Sequence, residues 1–366
     1  MNGVTGNRRW WFAVVMGFVA ATLNLRTASA EIWGFEGRQL AYSRFVWEYR
    51  FEEFGAEEYA NAVVEVFRSF EVITGKKLEP GSKRRVGIKI YTNSGVGIAT
   101  PTDLVRAVLS ALKARGFSSD ELFILDLSEG RMRDAGYLPP LSKESGRGRF
   151  EGVPVHILDT GDFFDPVWYY ESSLPQQRNS VRTRERSDAV PLTQKESERS
   201  RKSFLPKHLL VDVDFWINLP VAMDHPSVGV SGALVNATLW NISNRERFLA
   251  SPANAPVAVA EIAAIPELVS GWALTILSME RYQIIGGPVF NARYTRSKKL
   301  LWMSVNPVVI DALALRLIND GRRRERFQPI GRSLQMLRFA STLGLGTADV
   351  KEIVWLRFPE YTVDSS

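Results

Sequence analysis

The chain contains no cysteine and only three histidines among its 366 residues. The absence of cysteine excludes disulfide bonds, thiolate catalysis, cysteine-ligated zinc and iron–sulfur clusters. With so few histidines we do not expect a histidine-rich metal site, although one histidine together with carboxylates is a chemically allowed ligand set. The cofactor is otherwise unknown from the sequence, and the stability of the fold must come from its core.

The chain also has little excess charge. Its formal net charge is +6, and residues 1–30 contain three arginines and no acids, so residues 31–366 carry +3. A charge this small does not predict binding to nucleic acid or to a membrane surface. The hydrophobic content of 45% is typical of a globular chain, which we expect to form one large α/β domain or two smaller ones.

The first thirty residues have the pattern of a secretory signal peptide. Arg8 and Arg9 precede the apolar run "WWFAVVMGFVAATL", and Ala28–Ala30 form a small-residue cleavage site. The alternative is a membrane anchor, but this run is shorter than the roughly 20 residues that span a bilayer. The sequence therefore predicts export to the periplasm or the extracellular space, with cleavage after Ala30. "NRRWWF" partly matches a twin-arginine signal, so either export route is open.

The order of predicted elements favours a sheet with parallel strands. Residues 31–80 form an N-terminal aromatic region with an amphipathic helix, and residues 81–366 follow as an α/β domain. In the first half, the sequence predicts a strand at Val86–Tyr91, a glycine-bearing loop at Thr92–Thr100, a helix at Pro101–Arg115 capped by Thr100, and strands at Glu121–Leu127, Val153–Leu158 and Val167–Glu171, all in one sheet.

The second half continues the same α/β pattern. It predicts an extended segment at His208–Pro220, helices at Ser231–Ile242 and Pro256–Ile265, strands at Trp272–Ser278 and Lys299–Val305, and a helix at Pro307–Ile318 that is capped by Asn306 and ends at Gly321. The fold class is thus a mostly parallel or mixed wound sheet flanked by helices. Gln176–Ser203 interrupts it as a long charged insertion loop. A basic arm for a polyanion, together with "GRRRERF", is the alternative for that loop.

The first candidate site is the loop after the first strand. Glycine-containing loops between a strand and a helix N-terminus can bind anions, and Lys89, Asn93 and Ser94 are expected at the carboxyl edge of the sheet, with Lys89 as an anion anchor. The loop matches neither the dinucleotide fingerprint nor the phosphate-loop pattern. The alternative is a tight turn that needs glycine.

The second candidate is "HILDTGDFFDP", where His156, Asp159, Asp162 and Asp165 recur every third residue. Oxygen ligands this close could hold a hard cation, but their spacing is not that of a calcium loop. The favoured interpretation is a set of turn-forming aspartates.

The third candidate is Asp224-His225. His225 is the candidate acid, base or metal ligand, and Asp224 is its candidate catalytic neighbour. Three further residues are expected near it, namely Asn218 at a strand end, Asn236 on the next helix and Asp311 on the helix after Asn306. The alternative is an Asx-type turn with a surface histidine.

Three blocks in this order, "IKIYTNSGVGIATPTDLVRAVLSALKARG", "DFWINLPVAMDHPSVGVSGALVNATLW" and "GGPVFNARY…NPVVIDALALRLI", resemble the family catalogued as domain of unknown function 362. The resemblance spans Val86–Ile318 and implies an α/β fold without an assigned reaction. The family positions correspond to Lys89 with a shifted Asn93, Asn218-Leu219-Pro220 with His225, Asn236, Gly287-Pro288, and Asn306-Pro307 with Asp311. Two lysines of the family pattern are absent, one of them replaced by Val235. Some members carry iron–sulfur modules, which a chain without cysteine lacks.

These observations predict an exported α/β protein with one cleft built from Lys89–Ser94, Asp224-His225, Asn236 and Asp311. The cleft would bind a small polar or anionic ligand, either as an enzyme or as a binder. The rival hypothesis is a non-catalytic binding protein that has lost the family lysines.

Overall fold

The structure is a computed structural model that describes residues 42–141, 148–172 and 201–359. Its strands are β1 (Phe45–Arg50), β2 (Val86–Lys89), β3 (Leu122–Asp126), β4 (Arg149–Phe150), β5 (Val153–Ile157), β6 (Phe164–Glu171), β7 (Lys202–Pro206), β8 (Phe215–Asn218), β9 (Met223–His225), β10 (Gly229–Ser231), β11 (Trp272–Ser278), β12 (Tyr282–Gln283), β13 (Thr295–Arg296), β14 (Leu300–Ser304) and β15 (Val354–Phe358). Its helices are α1 (Ala56–Thr74), α2 (Thr102–Lys113), α3 (Glu129–Asp134), α4 (Lys207–Leu210), α5 (Ala233–Ala237), α6 (Glu246–Leu249), α7 (Ala255–Ala263), α8 (Pro266–Gly271), α9 (Pro307–Arg324) and α10 (Ser333–Thr342).

The main sheet has nine strands in the order β15-β1-β14-β11-β8-β2-β3-β5-β4. The five strands from β11 to β5 run parallel to one another, and β14 and β4 flank them antiparallel. The sheet is therefore mixed with a parallel centre. A separate four-stranded sheet has the order β10-β9-β12-β13. In the chain, β9 and β10 follow β8, and β12 and β13 follow β11.

The central strands β2, β3 and β8 are apolar up to their last residue, because both faces of the sheet are covered. The residues of β2, β3 and β8 are all buried. On one face α1 and α2 contribute Val63, Phe67 and Leu104 to a core. On the other face Trp216 stacks on Trp272 with ring centroids 4.7 Å apart. The predicted α/β sheet flanked by helices is confirmed.

Several predicted elements lie elsewhere than expected. The strand at Val167–Glu171 belongs to β6, which pairs with β7 in a two-stranded sheet and does not extend the main one. Its alternation of exposed and half-buried residues is typical of a ribbon with one solvent face, unlike the buried central strands. The segment His208–Pro220 is not extended throughout, because α4 precedes β8. β1, which the sequence analysis did not predict, lies between β14 and β15.

Three predicted helix limits are also corrected. Thr100 does not cap α2, because its Oγ1 accepts the amide of Tyr91 and donates to the carbonyl of Leu219. The helix predicted at Ser231–Ile242 is shortened to the five residues of α5, since Thr238 leaves the helical conformation. α9 continues through Gly321, whose missing side chain admits Ile284 at 2.8 Å from the ideal Cβ position.

Other predictions were accurate. The strand Trp272–Ser278 has the predicted limits. The side chain of Asn306 caps α9 by accepting the amides of Val308 and Val309 at 2.9 and 3.1 Å.

The signal peptide lies outside the described residues, as does residue range 176–200 of the charged loop. The end of that loop is corrected, because Lys202 and Ser203 belong to β7 and Ser203 is buried.

Across the ranges 42–141, 148–172 and 201–359, every helix is too short or too polar to cross a membrane.

Candidate functional site

A buried polar network lies at the carboxyl ends of three neighbouring parallel strands. Lys89 ends β2, Asp126 ends β3 and Asn218 ends β8, and each side chain is 0% exposed. The Lys89 Nζ donates to Asp126 Oδ1 at 2.7 Å, to Asn236 Oδ1 at 3.1 Å and to the Ile90 carbonyl at 2.7 Å. All three ammonium protons therefore have acceptors.

The amides of the network tie α5 to the sheet. Asn236 Nδ2 donates to Asn218 Oδ1 at 2.8 Å, and Asn218 Nδ2 donates to the Ala233 carbonyl at 2.8 Å. The second oxygen of Asp126 accepts the amide and the hydroxyl of Thr92, both at 2.7 Å. Asn93, 3.3 Å from the Asp126 carboxylate, closes the network on the loop side.

This arrangement indicates a structural role for Lys89. Burial lowers the pKa of Lys89, and the adjacent Asp126 carboxylate opposes that shift. Since its donors are used and its side chain is sealed, Lys89 has no proton left for an incoming anion.

Asp311 caps a helix other than its own. Its Oδ1 accepts the Ala233 amide at 2.5 Å and its Oδ2 accepts the Leu234 amide at 3.0 Å, which satisfies the first turn of α5. Gly232 makes room for the carboxylate, because a Cβ there would lie 2.2 Å from Oδ1. Burial raises the pKa of Asp311 to about 7, against the lowering effect of the two amides. Asp311 was expected in the cleft with His225, and the structure instead places it as the cap of α5.

Ser94 joins the loop after β2 to the smaller sheet. Its Oγ lies 2.7 Å from the Tyr91 hydroxyl and 3.5 Å from the Met223 sulfur, and it donates to the carbonyl of Pro288. Met223 is the first residue of β9 and directly precedes Asp224. Ser94 therefore contacts the start of the β9–β10 hairpin.

An open pocket of about 790 Å³, here called the hairpin pocket, lies beside this hairpin. It is bounded by the hairpin residues Asp224–Pro226 and Gly229, by the turn Gly286-Gly287, by Arg322 of α9, and by residues 330–332 and Gln335 at the start of α10. Elements far apart in the chain thus meet at one cavity.

Asp224 holds the turn on one side of the hairpin pocket. Its Oδ1 accepts the Gly287 amide at 2.8 Å and its Oδ2 accepts the Gly286 amide at 3.1 Å. Arg322 Nη1 lies 3.7 Å from Oδ2. Burial raises the pKa of Asp224, while the two amides and Arg322 oppose the shift. The carboxylate therefore positions the Gly286-Gly287 turn, and no oxygen of it is without a partner.

His225 lines the hairpin pocket and has one ring nitrogen without a partner among the described residues. The residue is 5% exposed, and its Nδ1 accepts the Ser227 amide at 3.1 Å. Because Nδ1 is an acceptor, the ring proton is on Nε2 in the neutral form. Within the described ranges Nε2 has no hydrogen-bond partner and is not sealed from solvent. Burial lowers the pKa of His225 to about 4, so the ring is neutral at pH 7. The predicted alternative, a surface histidine, does not describe this residue.

Two arginines give the hairpin pocket its positive charge. Arg322 donates to the carbonyls of Gln328 and Ile284 at 2.8 and 2.9 Å, and Arg332 Nη1 donates to the Pro226 carbonyl at 2.7 Å. Arg322 Nη2, and Nε and Nη2 of Arg332, have no partner among the described residues. The pocket therefore offers several N–H donors in addition to His225 Nε2.

The residues predicted to share one cleft form two groups. Asp224 and His225 line the hairpin pocket, whereas Lys89, Asn93, Asn218 and Asn236 belong to the buried network, Asp311 caps α5, and Ser94 lies between the groups. The expected single cleft is therefore divided, because the strand-end polar residues satisfy one another.

Sequence reasoning missed Asp126, Arg322 and Arg332. Asp126 had a usable signal, since it is a charged residue at the end of an apolar predicted strand. Arg322 was included only as part of the basic stretch "GRRRERF", and Arg332, which follows that stretch, had no signal.

The His156 segment is only partly a turn, because His156 lies in β5 and Asp165 lies in β6, with Asp159 and Asp162 between them. Asp165 accepts the Val167 amide at 2.8 Å, and Asp159 lies 3.4 Å from Arg245. His156 instead stacks between Phe123 and Phe163, at 4.7 and 4.4 Å. Within the described part of the chain, no three metal-ligating side chains of the His, Asp or Glu type come together.

Gly229 is needed for the hairpin to contact α10. Its φ is +85°, and a Cβ there would lie 2.1 Å from Ser333 Oγ and 2.5 Å from Ser333 N. We expect Gly229→Ala to lower the free energy of unfolding more than Gly161→Ala does, by about 1–3 kcal/mol. Gly161 has the same φ of +85° with nothing within 4 Å of its Cβ position, so it reports the backbone strain alone. Equal losses in urea unfolding of the two variants would show that the contact with Ser333 relaxes without cost.

The chain matches no family model and no curated protein. One solved structure is similar to it, a structural genomics target protein from Thermotoga maritima, with 13% sequence identity and a TM-score of 0.35. The similarity covers 69% of this chain and 56% of that protein, so this chain spans little more than half of it. At this level of similarity, neither the fold nor the function of that protein can be transferred.

Proposed function

We propose that this protein binds a small anionic ligand in the hairpin pocket. The observation that carries the proposal is His225, a nine-tenths buried side chain whose Nε2–H has no acceptor among the described residues. An acceptor on a ligand would pair with this donor, and a hydrogen bond of this kind contributes about 0.5–1.5 kcal/mol. Arg322 and Arg332, which have N–H groups without a partner among the described residues, line the same cavity, so the complementary ligand is rich in oxygen acceptors.

The geometry favours binding over acid–base catalysis. Nδ1, the nitrogen with the lone pair, accepts the Ser227 amide, so the neutral ring carries its proton on Nε2. A neutral imidazole in this tautomer donates a hydrogen bond but does not accept a proton at Nε2. This supports the hypothesis of a non-catalytic binding protein over that of an enzyme.

We also propose that the protein is exported and belongs to the family of domain of unknown function 362. The N-terminal pattern around Arg8-Arg9 and Ala28–Ala30 supports export to the periplasm or the extracellular space. The order of the three sequence blocks from Val86 to Ile318 supports the family. Purification from cell fractions followed by N-terminal sequencing would test export, and a first residue of Glu31 is the expected result.

The binding proposal is tested by native mass spectrometry and metal analysis of the purified protein beside His225→Ala and His225→Gln. We expect a small anionic ligand on the parent protein, little on His225→Ala, and partial retention on His225→Gln, because the glutamine amide restores a donor. An additional Arg332→Gln variant should reduce occupancy, whereas Arg338→Gln, on the same helix but outside the pocket lining, should not.

Two outcomes would contradict the proposal. A stoichiometric metal that disappears in His225→Ala would make the histidine a metal ligand. Equal ligand occupancy in the parent and in all variants would place the ligand elsewhere.

A further inference from the structure

The hairpin pocket includes the start of a helix. α10 has ten residues and begins at Ser333, and Arg332 at its N-cap makes no side-chain capping bond. Gly331 and Arg332 line the pocket, and their amides have no acceptor among the described residues. Unsatisfied amides and the positive end of the helix dipole attract anions.

A second, independent feature points to the same place. His225 Nε2 is an unpartnered donor on a side chain that is only 5% exposed, and His225 lines the same cavity. The hairpin and the helix start are joined directly, because Arg332 Nη1 donates to the Pro226 carbonyl at 2.7 Å. The donor of His225 and those of the helix start therefore belong to one site.

Residues with N–H donors line the pocket from three different elements. The hairpin contributes His225, α9 contributes Arg322, and the start of α10 contributes Arg332 with its amides. A planar carboxylate has two oxygens in one plane, whereas a tetrahedral oxyanion has three terminal oxygens that point in different directions. Donors from three sides match the tetrahedral group better.

The charge of the lining favours an anion, because its two arginines outnumber its one carboxylate. Arg322 and Arg332 bring two positive charges, and His225 is neutral. The Asp224 carboxylate brings one negative charge, but it accepts two amides and lies 3.7 Å from Arg322. Arg332 has no carboxylate partner in the described ranges, so its charge is available to the ligand.

We propose that the hairpin pocket is a phosphoryl-binding site, in which the start of α10, Arg332, Arg322 and His225 hold the phosphoryl group of the ligand. This inference rests on the proposed binding function and specifies its ligand class. Two sources share the chemistry, namely free inorganic phosphate and a small organic phosphate monoester. The pocket of about 790 Å³ leaves room for an organic group beyond the phosphoryl group.

Isothermal titration calorimetry with phenyl phosphate, phenyl sulfate, benzoate and inorganic phosphate tests the proposal. At pH 7.5 we expect phenyl phosphate to bind at least about tenfold more tightly than benzoate, because a dianion makes more charge-assisted hydrogen bonds. If inorganic phosphate binds more weakly than phenyl phosphate, the ligand is a phosphate monoester. If inorganic phosphate binds as tightly or more tightly, the ligand is free inorganic phosphate.

The pH dependence separates the dianion from other anions. The second pKa of a phosphate monoester is about 6, so its dianion falls about fourfold between pH 7.5 and 5.5. Phenyl phosphate should weaken by that factor. Phenyl sulfate keeps its single charge and controls for titration of Asp224 and of His225.

Variants assign the donors. Arg332→Gln should weaken phenyl phosphate about tenfold or more, and Arg332→Lys should weaken it less, since it keeps the charge but loses the planar fork. Arg338→Gln is the matched control, and thermal unfolding checks that each variant is folded. Benzoate or phenyl sulfate binding as tightly as phenyl phosphate, with loss in Arg332→Gln, would overturn the phosphoryl assignment and leave the anion-binding function standing. If none of the four probes binds the parent protein, and it also carries no anionic ligand in the native mass spectrum, both proposals are overturned.

Discussion

Replacing Lys89 with methionine is expected to lower the free energy of unfolding by about 3–5 kcal/mol, because it leaves Asp126 as an uncompensated buried charge. Both side chains are 0% exposed, and their ion pair measures 2.7 Å. Methionine fills a similar volume, so the loss reports the charge and its hydrogen bonds more than packing. Urea unfolding of the parent and the variant measures it.

An exposed ion pair of equal length is the matched control. Arg149 lies 2.7 Å from Asp120, with side chains 49% and 76% exposed. We expect Arg149→Met to cost less than about 1 kcal/mol, since solvent screens such pairs. The double variant Lys89→Met with Asp126→Asn should be more stable than the sum of its single variants predicts, because the removal of both charges leaves neither unpaired.

The same variant decides the role of Lys89. If Lys89→Met is as stable as the parent protein and loses its ligand, then the sequence prediction of an anion anchor is correct and the structural role is wrong. Retention of the ligand by the fraction that remains folded would support the structural role.

Replacing Asp311 with alanine is expected to lower the free energy of unfolding by about 2–4 kcal/mol at pH 6, because two buried amides lose their acceptor. The amides are those of Ala233 and Leu234, in the first turn of α5. Asn236 is on this helix, so displacement of α5 would also disturb the buried network. Asp349→Ala is the matched control. The exposed Asp349 side chain accepts the Lys351 amide, and its loss should cost about 1 kcal/mol or less.

The pH dependence of Asp311→Asn tests the buried carboxyl directly. The pKa of Asp311 is raised in the folded state to about 7 from an ordinary 3.8, so the folded state binds this proton more tightly than the unfolded state. The stability of the parent relative to the variant should therefore fall as the pH rises from about 4 to about 7, by about 2 kcal/mol or more, and then level off.

Comparison with the variant isolates this effect. His225 and His156 have lowered pKa values of about 4 and about 3. They act in the opposite direction, since they destabilise the folded state as the pH falls below their ordinary value. Both are present in the parent and in Asp311→Asn, so their contributions cancel in the difference. A difference that is constant from pH 4 to 8 would show that Asp311 keeps an ordinary pKa in the folded protein.

The sequence predicted the candidate site less well than the fold. Lys89 and Asn218 were placed at the carboxyl edge of the sheet, which is correct, because a polar residue that follows a buried strand marks where the strand ends. Their role was not predictable. Lys89 pairs with Asp126, which is 37 positions along the chain, and no local pattern indicates that one side chain neutralises the other.

The sequence by itself determined the elements whose causes are local. The strand Trp272–Ser278 follows from a continuous apolar run, and the start of α9 follows from Asn306 with Pro307 after it. Asp224-His225 was recognised as a notable pair because histidine is rare in this chain. These features depend on residue type and spacing over a few positions.

Only the tertiary structure decided which polar side chains are satisfied and which face a cavity. Asp311 caps a helix 77 positions away in the sequence, at Leu234, and Arg332 reaches the Pro226 carbonyl across 106 positions. Such pairings depend on the packing of whole elements, since a side chain becomes a free donor or a satisfied one according to what the fold brings beside it. For this reason Lys89, the expected anion anchor, is sealed within the protein, and His225 and Arg332 remain available to a ligand.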